Sequence, residues 1–228
     1  MTALAKAFAH CRRLVAETDK ERYWASLYAP AERRDALYAL YAFDLEIARV
    51  PLAVREPMAG EIRLQWWREA IERKRDGEAA ANPVAAAMLD IVVQYDLPTD
   101  KLIALIDARA GDLYADKTQD LETYAGATHG AVIVLAAHVI GAKGEAVGHI
   151  AHHAGAARAC AGAGDTEQAR GHLDAASNLV PQVPEQALPA LLPAAVIGPS
   201  LGRDKPLPLW RRQWLIWRAA RNPQRIFG

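Results

Sequence analysis

The 228 residues contain only two cysteines, Cys11 and Cys160. They show no CxxC or Cys/His zinc spacing and cannot build a disulfide framework. That excludes a disulfide-stapled secreted scaffold and leaves two buried, reduced thiols. Net charge is also missing. The 27 Lys plus Arg balance 27 Asp plus Glu, so whole-chain charge selects no partner. No uncharged apolar run reaches about 18 residues, so nothing reads as a membrane-spanning helix. Lys6, Arg12 and Arg13 precede no apolar signal core, and Glu17 and Asp19 follow. This argues against a secretory signal or transit peptide and for a cytoplasmic location. Strict period-two alternation between turn signals is absent, which argues against a sheet. No internal repeat of about 20 to 50 residues occurs.

What remains is alanine-rich and helical in pattern. The length favours one domain with a core large enough to stand without staples. Hydrophobic residues make up 52% of the chain, a soluble globular composition. Periodicity emerges first from about Ala31, where Leu37, Leu40, Tyr41, Leu45 and Ala48 make one stripe. Pro51 and Pro57 are expected to end that helix. A second helix is predicted over Gly60–Arg75, with Gly77 closing it. Asn82-Pro83 opens a third, its buried face Ala86, Leu89, Val92 and Val93. A fourth runs from Pro98-Thr99 through Leu102, Leu105, Ile106 and Arg109 to about Tyr114. Leu121–Gly141 and Gly144–Ala163 make a fifth and a sixth. Seven of the 13 prolines then fall between Pro181 and Pro208, a stretch that permits only short or kinked helix. A last helix is predicted over Leu209–Ala220, stopped by Asn222-Pro223. Residues 1–180 thus form the main helical domain, and 181–228 add a proline-rich connection and a terminal helix to it.

The residues now resemble a family. The run Tyr23-Trp24-Ala25-Ser26-Leu27, then Pro30, then Arg34 to Phe43 is similar to the opening of squalene and phytoene synthases. Trp66-Trp67-Arg68, Asn82-Pro83-Val84, Asp112-Leu113, Leu121-Glu122-Thr123-Tyr124 and Gly130 follow in that family's order and spacing over roughly residues 20 to 160. The resemblance implies an all-α, isoprenoid-synthase-like helical bundle, shortened here in its C-terminal half. It also implies a chemistry, the head-to-head joining of two prenyl diphosphates. Such a site holds magnesium on paired carboxylates, a DxxxD spacing placing two of them on one helical face.

Those carboxylates are missing. The first pair should fall at positions 48 and 52, where the chain has Ala48 and Leu52, with Arg49 beside them. The second should fall near Gly155–Gly162, which has none; Asp165 and Glu167 follow at the wrong spacing. Without counter-charge, a desolvated diphosphate is strongly disfavoured. Phe43 to Val50 and Arg63-Leu64-Gln65-Trp66-Trp67 resemble the non-catalytic branch of the family, which includes a mitochondrial assembly factor for respiratory complex I. That branch implies a binding or assembly role with a protein partner, respiratory-complex subunits among the candidates, and no cofactor. An active or heteromeric prenyltransferase using magnesium and an isoprenoid- or lipid-binding module are the alternatives.

Tyr41, Asp44, Glu46, Ala48, Arg49, Arg63, Trp66 and Asp112 are the residues expected around the former substrate cavity. Their charges are either solvated faces or a polar network joining helices. His149, His152 and His153 stand at i, i+3 and i+4, and His149 with His153 has the spacing of a metal pair as well as of surface histidines. From Lys205 to Gly228 there are six basic residues and no acid. Trp210, Trp214 and Trp217 share a helical face, with Arg211, Arg212 and Arg218 nearby. This segment suits peripheral contact with an inner membrane or a partner, or else tryptophans docked into the protein with arginines facing water. Nothing beyond a basic aromatic stripe suggests nucleic acid.

Overall fold

The computed structural model describes residues 2–114 and 120–228. Regular structure among the described residues is helical throughout, as the absent alternation requires. The chain forms two compact units, Met1–Thr18 with Asp35–Gln119, and Asp19–Arg34 with Asp120–Gly228.

In the first unit, α1 (Ala3–Thr18) packs on α6 (Pro83–Gln94), and α4 (Pro57–Ile71) packs on α7 (Thr99–Gly111). The central element is α3 (Ala31–Ala53), whose part in this unit starts at Asp35. Ala36 to Asp44 are all buried, including Tyr38, Tyr41 and Phe43. A helix buried on every side belongs to a core rather than a surface. Between α4 and α6 lies the short α5 (Asp76–Ala81). Asn82 caps α6, its side chain accepting from Val84 N at 2.9 Å and Ala85 N at 3.0 Å.

In the second unit, α2 (Lys20–Ser26) packs against α14 (Leu209–Arg221), and α10 (Glu145–Ala163) lies along α11 (Thr166–Leu179). The predicted fifth helix is α8 (Leu121–Ala125), a π turn at Gly126–Gly130 and α9 (Ala131–Val139) in succession. Gly130 and Gly155 set a close crossing. A Cβ on Gly155 would stand 2.6 Å from Gly130 N and 3.1 Å from Ala125 O, so backbones meet there and no side chain fits. The proline-rich stretch becomes short 3-10 turns with α12 (Leu188–Leu191) and α13 (Ile197–Ser200), in the same unit as residues 120–180.

Several expectations are corrected. Helix begins well before Ala31: α1 buries Ala7, Cys11 and Val15 at four-residue steps, a regular stripe that the expected elements left out. Pro51 does not end α3, which continues to Ala53. Proline's missing N–H so close to the helix end removes only a terminal bond. The second helix starts at Pro57, which fits the first turn, and ends at Ile71. Gly77 lies inside α5 rather than closing a helix. Val93 is exposed; Val84, Ala85, Ala87, Met88, Leu89 and Ile91 form the buried side of α6. The unexpected α11 is announced by Asp165, which caps it by accepting from Gln168 N at 2.9 Å.

Candidate functional site

Most of the residues named for the site fall into two groups in the first unit. The first is a buried polar network. Asp44 on α3 is 3% exposed, and Arg109 at the end of α7 is 8% exposed. One guanidinium nitrogen of Arg109 lies 3.4 Å from Asp44 Oδ1, and the other 3.6 Å from Asp112 Oδ2. A single cation therefore serves two carboxylates. Tyr41 is buried one helical turn before Asp44. Arg109 is the residue that sequence reasoning placed only in a core stripe. An arginine on an otherwise apolar helical face, three residues before an aspartate, was its available signal.

The second group lines an open cavity of about 550 Å³ between α3, α4 and Asn82. Glu46, Arg49, Arg63 and Trp66 line it, with Val50, Ala53, Ile62 and Trp67. Glu46 sits 3.7 Å from Arg49, an exposed i,i+3 pair of small energetic weight. Trp66 donates from Nε1 to Glu78 Oε2 at 2.9 Å, which, with Arg75, holds the Glu78 carboxyl below its ordinary range. Trp67 meets Trp66 at 5.1 Å and Phe43 at 5.3 Å, both edge to face, which fixes the inner wall. Asp44 and Glu46 point apart, the first into the network and the second into the cavity, as a two-residue helical step demands.

The residues present do not fit a magnesium–diphosphate cluster. Ala48 is half-buried and is not among the lining residues, while Leu52 is 87% exposed. Glu46 is the one acid lining the cavity, and it is already paired with Arg49. On α10, Gly155–Gly162 offers no carboxylate, and Asp165 is engaged as the cap of α11. No group of three or more His, Cys, Asp or Glu suited to a metal ion occurs among the described residues.

The squalene/phytoene synthase profile matches residues 15–162. The chain belongs to the squalene/phytoene synthase family. Within that family it is 35% identical over 153 residues to NADH dehydrogenase (ubiquinone) complex I, assembly factor 6, of Mus musculus, covering 65% of this chain and 46% of that one. The Homo sapiens counterpart is 32% identical over the same span and shares. A 15-cis-phytoene synthase of Synechococcus elongatus is 26% identical over 147 residues, covering 62% of this chain and 46% of that one. The chain thus spans about half the length of the curated relatives it matches. Among solved structures, a dehydrosqualene synthase in complex with ligand superposes with a TM-score of 0.76 at 14% identity, over 97% of this chain and 98% of that one. Squalene synthase HpnC from Alicyclobacillus acidocaldarius gives 0.67 at 18% identity, over 96% and 94%. These likenesses establish the isoprenoid synthase fold for this family member.

Elsewhere the expected residues separate. On α14 the tryptophans do not dock inward: Leu215, Ile216 and Ala219 form the buried side, and Trp210, Trp214 and Trp217 are exposed. Arg212 leaves the exposed set, because it forms an ion pair with Glu21 of α2. Arg211 and Arg218 are half-buried, and Arg218 lies over the Trp214 ring at 5.0 Å. His149 and His153 have separate neighbours. His149 stands 3.6 Å from Glu145, while His153 Nδ1 lies 3.1 Å from His172 Nδ1. His152 Nε2 is 3.0 Å from Glu122. No helix among the described residues is long and apolar enough to cross a membrane.

Proposed function

We propose that this chain is a non-catalytic squalene/phytoene synthase-like protein that acts in the assembly of respiratory complex I, at the cytoplasmic side of the inner membrane. Its partners in this reading are complex I subunits. The carrying observation is at α3, where Ala48 and Leu52 occupy the expected carboxylate positions and Leu52 is turned out to solvent. An exposed leucine offers nothing to a metal. With exposed Met58 and Ile62 on α4, it supplies apolar surface of the kind that protein interfaces use. The 32–35% identity to proteins named as complex I assembly factors supports the same reading.

Purified protein incubated with farnesyl or geranylgeranyl diphosphate and magnesium is expected to give no head-to-head product. Deleting the chain from its host is expected to lower assembled complex I on native gels. Wild type restores it, and Leu52→Glu with Ile62→Glu does not. A condensation product, or unchanged complex I after deletion, refutes the proposal; the product would favour the prenyltransferase reading instead.

The cavity wall of Val50, Ile62, Trp66 and Trp67 favours one second reading, an isoprenoid or lipid tail held without chemistry. Solvent extraction and mass spectrometry of the purified protein test it: a co-purifying lipid is expected, and an empty extract counts against it.

A further inference from the structure

The geometry points to the outward face of α14 as a docking site for an anionic lipid bilayer. The proposal concerns a different surface from the assembly reading and supplies the contact for the inner-membrane location in that reading. Successive helical residues turn by about 100°, so Trp210, Trp214 and Trp217 fall within about 60° of one another. Opposite them lie Leu215, Ile216 and Ala219, which hold the helix to its own unit. The ion pair between Arg212 and Glu21 fixes that inward side. The tryptophans are therefore displayed, at 70%, 46% and 45% exposure, on the side away from the one that holds the helix. Leu209 adds a further exposed apolar side chain at its start.

Charge selects the occupant. Residues 205–228 carry six basic groups and no acidic one. Two of the arginines sit directly against the apolar face: Arg218 lies over Trp214 at 5.0 Å and Arg221 over Trp217 at 4.8 Å. A guanidinium stacked on an indole gains strength as water is removed. Such a pair can enter the headgroup region with the ring towards the acyl chains and the cation towards phosphate. An acidic protein surface would satisfy the arginines but would leave three large rings to be matched one by one. A bilayer accepts them without matching.

The test is co-sedimentation of the full chain with phosphatidylcholine vesicles, with and without about a third phosphatidylglycerol. Wild type is expected to sediment with the anionic vesicles and to be released by salt. Trp210→Ala/Trp214→Ala/Trp217→Ala should bind at least about tenfold more weakly, with unchanged helical circular dichroism because the buried side is untouched. Arg218→Gln/Arg221→Gln should lose about fivefold per arginine on anionic vesicles only. In wild type, brominated lipid should quench tryptophan fluorescence, a readout that needs no variant. Failure of wild type to sediment, unchanged binding of the tryptophan variant, or no quenching overturns the proposal. So does binding of polyglutamate through the same residues without vesicle binding, which would assign the face to an acidic protein.

Discussion

Replacing Arg109 by methionine should be among the costliest single changes in the first unit. The guanidinium stands 3.4 Å from Asp44 and 3.6 Å from Asp112, and Asp44 is almost fully removed from water. At an effective dielectric of about 20, a charge pair at this separation attracts by roughly 5 kcal/mol, and desolvation of both partners offsets most of it. The intact pair therefore adds little net stability. Removing the cation alone is different, because Asp44 stays buried and loses the Arg109 guanidinium, which costs about 3–5 kcal/mol. For a chain of this size that is a fall in melting temperature of roughly 10 °C. Asp112→Asn should cost less than Arg109→Met, since that carboxylate is less buried than Asp44 and lies farther from the guanidinium. Asp44→Leu combined with Arg109→Met removes both buried charges and should recover most of the loss. Urea melts of wild type, Arg109→Met, Asp44→Leu and the double variant give the cycle. A loss under about 1 kcal/mol for Arg109→Met, or a double variant no better than the single one, refutes the reasoning.

Other outcomes follow from the second unit and from α1. Gly155→Ala forces a methyl against the Gly130 and Ala125 backbone, and should destabilise by at least about 1–3 kcal/mol in the same urea assay. Burial, then the neighbouring His152 and His172, holds the His153 pKa below its ordinary 6.5. The unfolded chain then takes up a proton that the folded one resists, so stability should fall as pH drops below about 6.5. His153→Asn should flatten that slope between about pH 7 and pH 5. The Cys11 thiol is pushed up to about 12, chiefly by burial. At about pH 8 it should not react with a disulfide reagent until urea unfolds the chain. Its share of stability should decline as pH rises above 9.0, where only the unfolded thiol ionises.

Much of this was legible in the chain. The alanine-rich 3.6-residue pattern gave α3, α6, α7, α10 and α14 close to their observed bounds, and the order of short motifs gave the family. The loss of carboxylates at 48 and 52 could be read by counting from Tyr41-Ala42-Phe43. Small-residue helices were harder. In α1, the buried stripe of Ala7, Cys11 and Val15 recurs at regular four-residue steps but is built from short side chains. α11 carried its signal in a capping aspartate and in the buried stripe of Ala169, Leu173 and Ala176.

The sequence by itself determined helix, family and the absence of paired acids, because each is a local property of residue type and spacing. Only the tertiary structure decided which charges are buried and which way α14 faces. Arg109 becomes the centre of a polar network because folding carries Asp44, 65 residues away, to its guanidinium. The tryptophans of α14 stay outside because Leu215, Ile216 and Ala219 occupy the opposite face and only one face of a helix can be buried at a single packing surface. Periodicity showed that the three rings share a side; the packing partner chose the side that faces water.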